Sequence, residues 1–149
     1  MLKNENALEL FASGYNCAQS VLGAFCEELG LSKETAFKIA SGFGGGMRQG
    51  EVCGAVTGAL MAIGLKEGFY EQGDVEGKAH IAEKIIAFEA MFEEKNGSIL
   101  CKTLLGYNPS IDSDLKIIKE KGLFTNLCPK FIDDGVIMTE KVLSNSPIE

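Results

Sequence analysis

The sequence predicts an all-α protein, a compact bundle of about seven helices forming one domain over residues 1–149. Three observations carry that expectation. Apolar residues recur three and four positions apart along most of the chain, while no stretch sustains the alternation of a half-buried strand. Gly, Asn and Ser stand between the periodic segments, where helices start and stop. No internal repeat and no linker long enough to divide the chain interrupts the pattern.

Residues 4–12 place Ala7, Leu8, Phe11 and Ala12 at the spacing of a short amphipathic helix, which Gly14 ends. Asn16 caps a second helix to about Leu29, with Cys17 in its first turn, Val21, Leu22 and Phe25 on its apolar face and Gly30 as its stop. Ser32 opens a third helix that runs to Ala40. Ser41 to Gly50 is too rich in glycine for a helix, since each glycine costs about 1 kcal/mol against alanine. Gly44-Gly45-Gly46 leaves the backbone free to take positive φ.

From Val52 to Leu65 small and apolar residues take over, the pattern of a buried central helix with Cys53 in its first turn. Gly54, Gly58 and Ala62 recur every fourth position and form a face that a neighbouring helix can approach closely. A loop from Gly68 to Gly77 leads into the longest helix, from about Val75 to Lys95, which turns Ile81, Ile85, Phe88 and Phe92 to the core and closes at Asn96-Gly97. Ser98 caps a short helix through Leu105 with Cys101 as its third residue, before the turn Gly106-Tyr107-Asn108-Pro109. Asp112 to Lys121 forms a further short helix. Thr125 or Asn126 caps the last, to about Leu143, with Cys128 and Pro129 in its first turn, where proline is tolerated.

A formal charge of -7 and an isoelectric point near 4.8 are at odds with the basic surface on which phosphate binding rests, so no nucleic-acid partner is expected. Met1 to Glu9 already carries Lys3, Glu5 and Glu9, unlike a signal peptide. The apolar run from Val52 to Leu65 falls short of the ~20 residues that span a bilayer. A cytoplasmic protein with no membrane partner is the expectation. There, five cysteines are more consistent with metal binding or redox activity than with structural disulfides, and the odd count argues against a fully paired framework.

Cys17, Cys53, Cys101 and Cys128 all fall in the first turn of an expected helix. Helix N-termini offer unpaired N–H groups and partial positive charge, which favour thiolate over thiol and lower the cysteine pKa. If the four ends converge, they form one thiolate-rich site. Cys26 lies half a turn around the axis from Cys17 at about 100° per residue, and should serve as a small core residue. A buried cysteine is often no more than a small hydrophobe, and that reading stands for each of the five. No Cys-x-x-Cys pair exists and His80 is alone, so neither a zinc ribbon nor a thioredoxin-like motif is supported.

Other candidates are weaker. The glycine stretch lacks the spacing and the Gly-Lys-Ser/Thr of a phosphate loop; its expected role is to bring backbone N–H groups to the Cys53 sulfur. Arg48, the single arginine, is a partner for an anionic cluster or substrate, or a solvated charge. His80 is more simply a surface or packing residue than a ligand. Glu93, Glu94, Asp133 and Asp134 read as solvated helix faces.

Cys17, then Cys53-Gly54-Ala55-Val56-Thr57-Gly58, then Cys101 and Cys128, in that order across nearly the whole chain, resemble the C-GCAxxG-C-C family of redox-active proteins. The resemblance implies a redox role with these four cysteines as working residues, and a bound prosthetic group such as an iron–sulfur cluster or another metal. Cys26 has no place in the pattern. Three functions follow: a metal centre for electron transfer held by Cys17, Cys53, Cys101 and Cys128; a metal-free protein in which two of the four cycle between dithiol and disulfide; and a structural zinc site with all four cysteines as ligands. Whether the chain is an oxidoreductase or an electron carrier, which redox partner it meets, and whether it pairs as a homodimer are left open.

Overall fold

The computed structural model describes residues 1–144, in which the chain is all-helical without a strand. Its elements are α1 (Lys3–Ala12), α2 (Cys17–Phe25), α3 (Lys33–Ala40), a π-type turn (Gly46–Gly50), α4 (Gly54–Glu67), α5 (Val75–Asn96), α6 (Cys101–Leu105), α7 (Asp112–Lys121) and α8 (Leu123–Leu143). These are nine helical elements among the described residues, where about seven were expected. The one that no helical pattern announced is the turn in the glycine stretch. Gly45, Gly46, Met47 and Arg48 have φ of 62°, 63°, 60° and 59°, four successive residues in the left-handed region. The turn closes where the Glu51 N–H donates to the Gly46 carbonyl at 3.0 Å.

α4 is central, packed on α2, α5 and α8, and its Ala55, Val56, Ala59, Ala62 and Ile63 are fully buried. The expected small-residue face does bring a neighbour close. A Cβ on Gly54 would stand 2.8 Å from the Cβ of Cys17, and one on Gly58 would stand 2.6 Å from the Ala18 carbonyl oxygen. α4 thus rests on the backbone at the start of α2. α5 buries Phe88 and Phe92 completely, with Ile81 and Ile85 half-buried beside them.

Three boundaries differ from expectation. α2 stops at Phe25 and not near Leu29, because the Leu31 N–H doubles back to the Cys26 carbonyl at 2.8 Å. α6 begins at Cys101: Ser98 Oγ accepts the Leu100 N–H at 3.0 Å, and Leu100 pairs with Val52, which keeps it extended. α8 begins at Leu123 after Gly122, so Cys128 and Pro129 lie in its second turn and proline sits inside the helix. Leu123 and Phe124 pack against the cluster of Ile118 and Cys128, which supports the earlier start. The N–H that proline lacks would reach the carbonyl of Thr125, an exposed residue, so no buried carbonyl is orphaned.

Among the described residues no helix is long and apolar enough to cross a membrane.

Candidate functional site

The start of α2 is fixed by a reciprocal cap. Asn16 Oδ1 accepts the Gln19 N–H at 2.8 Å, and the Asn16 N–H donates to Gln19 Oε1 at 2.9 Å. Asn16 Nδ2 also donates to the carbonyls of Ala40 and Ser41, at 3.3 and 3.2 Å. Cys17, the first residue of α2, is thereby tied to the end of α3 as well as to Gly54 of α4.

Cys53 and Cys101 are set by one device. Val52 and Leu100 form an isolated antiparallel bridge, in which the Cys53 N–H donates to the Ile99 carbonyl at 2.7 Å and the Cys101 N–H donates to the Glu51 carbonyl at 2.6 Å. Each cysteine follows its bridge residue directly. Cys53 is the N-cap of α4 and Cys101 opens α6, so two helix starts are clasped side by side. Gly46 lies behind them; a Cβ there would be 2.9 Å from the Cβ of Cys101. Cys128 arrives from the second turn of α8.

All four of these cysteines line a single cavity of about 670 Å³. Phe11, Leu104, Leu105, Phe124 and Phe131 supply apolar wall, and Gly44, Gly45 and Arg48 bring the left-handed turn to its edge. Cys17 is half-buried; Cys53, Cys101 and Cys128 are buried, and all five cysteines are free thiols. Cys26 takes no part: it is fully buried in the core, its Sγ 3.6 Å from the Gly23 carbonyl. The convergence of four and the exclusion of the fifth agree with the sequence.

The expected electrostatics do not. Burial pushes the Cys53 thiol up to about 11, against the opposing pull of the Ala55 and Val56 N–H groups and with help from the charge of Cys128. Burial, then the charges of Cys53 and Cys128, push Cys101 up to about 12. Cys17 packs beside Cys128, and the two thiols titrate as a pair. The neighbouring Cys128 thiol, then burial, raises Cys17 well above the usual thiol value, and the Cys17 thiol lowers Cys128. Helix ends were expected to lower all four. Only Cys128 is lowered, and its partner thiol does it; that same pairing leads the rise at Cys17, while at Cys53 and Cys101 desolvation and mutual repulsion outweigh the helix N-terminus.

Other expectations are corrected or placed. The backbone donors nearest the Cys53 sulfur belong to the first turn of α4, while the glycine stretch packs on Asn16 and Cys101. His80 lies on the surface, Nε2 2.9 Å from Glu67 Oε1, away from the cavity. Glu93 and Glu94 are exposed as expected, but Asp134 is 3% exposed and takes Lys95 Nζ at 2.6 Å, because its side of α8 faces α5. Asp133 Oδ1 accepts from Asn4 Nδ2 at 2.8 Å. The Val52–Leu100 bridge has no signal in the sequence.

Among the described residues no three His, Cys, Asp or Glu side chains are gathered closely enough to hold a metal ion in the arrangement seen. The sulfurs of a single tetrahedral zinc stand under about 4 Å apart, given Zn–S bonds of ~2.3 Å.

A sequence model of the family described as "Putative redox-active protein (C_GCAxxG_C_C)" matches residues 15–142, a span that contains all four cysteines of the cavity. No curated protein and no solved structure matches the chain.

Proposed function

The chain belongs to this family of redox-active proteins, and on that premise we propose that its four-cysteine cavity holds a polynuclear metal centre, most simply iron–sulfur, for electron transfer. The observation that carries the reading is the meeting of Cys17, Cys53, Cys101 and Cys128, from four separate parts of the chain, on one cavity of about 670 Å³. When bound, such a centre takes up and releases single electrons. The protein's part is to surrender four thiol protons on loading, to fix the sulfurs through the Asn16 cap and the Val52–Leu100 bridge, and to keep water off them with Phe11, Leu104 and Phe131.

The thiol contact of Cys17 with Cys128 favours a second reading, a dithiol–disulfide pair without metal. Oxidation would then join the two sulfurs and pass two electrons and two protons to an acceptor. A closed zinc site with four cysteine ligands has less support, since the sulfurs are not gathered for one ion.

Expression under anaerobic, iron-replete conditions separates these readings. The wild type should carry iron and sulfide with visible absorbance, and Cys53→Ser should lose most of both. A colourless, iron-free wild type that cycles between dithiol and disulfide would replace the metal centre with the second reading.

A further inference from the structure

We propose that the mouth of the same cavity is a subsite for a small oxyanion, a carboxylate or phosphate-type group, held by Arg48 and Lys119 beside the thiols. The inference does not depend on what the thiols hold. A volume of about 670 Å³ lies within the ~300–1,000 Å³ of small-molecule pockets. Besides the thiols and apolar side chains, the lining includes the polar residues Asn16, Ser41, Arg48, Ser110, Asp112 and Lys119.

The two cations are uncommitted. Among the described residues eight ion pairs form, and neither Arg48 nor Lys119 enters any of them. Asp112 lines the same cavity and pairs with neither; Glu51, near Arg48 in sequence, reaches Lys102 at 3.4 Å instead. In a chain with 14 basic against 21 acidic residues, two unpaired cations lining one cavity run against the overall balance.

The backbone adds a second observation. Arg48 has φ 59° and ψ 18°, a conformation that costs a residue with a Cβ on the order of 1–2 kcal/mol. Glycine would relieve that cost at once. Its place is taken by the single arginine of the chain, whose planar fork matches a carboxylate or phosphate with paired hydrogen bonds. Lys119, on α7, lines the same cavity and contributes a point charge.

The test uses the full-length, metal-free, reduced protein and two alkylating probes, iodoacetate and iodoacetamide. In both, a thiolate sulfur bonds to the CH2 carbon and iodide leaves, so their rate ratio cancels the thiolate fraction and reads only the attraction for a carboxylate. Arg48→Gln and Lys119→Gln should each lower that ratio at the cavity cysteines, on the order of tenfold, with the iodoacetamide rates little changed. Arg48→Lys should keep most of it. Inorganic phosphate should saturably slow iodoacetate in the wild type and not in Arg48→Gln. Ratios unchanged in both glutamine variants, or phosphate without a saturable effect, overturn the subsite. Should Arg48→Gln lose its helical circular dichroism, Lys119→Gln, at an exposed position, decides alone. Iron loading plays no part in these readouts, so a failure of the metal-centre reading is seen separately.

Discussion

Gly58 of α4 sits so close to Ala18 of α2 that a Cβ would come within 2.6 Å of the Ala18 carbonyl oxygen and 3.0 Å of its Cα. Backbone cannot move aside as a flexible side chain can. Gly58→Ala should therefore cost about 1–3 kcal/mol through overpacking. Gly64, further along the same helix, has nothing within 4 Å of its Cβ position, and Gly64→Ala should gain up to about 1 kcal/mol. Urea unfolding midpoints of the two variants should move in opposite directions; a neutral Gly58→Ala would show that α2 and α4 do not touch as described.

The packing of Cys17 against Cys128 should decide which pair oxidises first. Cys128 is the one of the four whose pKa is lowered, so it gives up its proton more readily than the others. Limited oxidation of the metal-free protein, followed by peptide mapping, should recover the Cys17–Cys128 disulfide before any link to Cys53 or Cys101. Recovery of Cys53–Cys101 first would contradict the contact.

Stability should fall on the alkaline side. Cys53 and Cys101 move from the usual thiol value of 9.0 to about 11 and about 12 in the folded chain. Between those limits the folded state binds more protons than the unfolded one, so unfolding becomes easier as pH rises. The contribution is intact below pH 9 and is lost as pH passes through about 11 to 12. For the metal-free reduced protein, urea midpoints should decline from pH ~8 to ~10.5, and less steeply once Cys53 and Cys101 are both alanine. Equal slopes in variant and wild type would assign the decline to other groups.

Asp134 is buried, with Lys95 Nζ at 2.6 Å and Lys130 Nζ at 3.9 Å. Lys95→Ala leaves that carboxylate short of its close donor and should cost about 1–3 kcal/mol. Lys130→Ala removes only the distant charge and should cost under about 1 kcal/mol. Removing Asp134 together with Lys95 should recover part of the loss. Thermal unfolding of the four proteins checks the order, and equal losses from the two lysines would refute it.

Helix positions were legible because their signals are local. Asn16, Ser32 and Gly97 do cap the helices they were expected to cap, and Phe88 and Phe92 are buried on the face their spacing gives them. The gathering of four cysteines was legible for the same reason: three of them stand within one residue of a helix start, and helix starts can meet. What depends on distant chain segments was not legible. The Val52–Leu100 bridge joins residues whose types carry no pairing pattern, and the left-handed turn includes Met47 and Arg48, which composition would never assign to it. Thiol pKa shifts were misjudged because burial is a property of the assembled cavity, and it outweighs the helix-end effect on which the expectation rested. Asp134 was missed because its partner lies on α5.

The bridge also decides which part of the chain can change without cost to the site. Everything between residues 53 and 99 leaves and returns through one clasp, with Cys53 and Cys101 at its base. α4 carries the chain about 20 Å away before it turns, at 1.5 Å per residue. The connection at 68–74, where Tyr70 is almost fully solvent-exposed, therefore forms the tip of a closed excursion. Added or deleted residues there would be absorbed at the tip, and the two sulfurs would keep their register. The connection is thus a natural place for length to drift between relatives, and a practical place to insert a tag or a reporter.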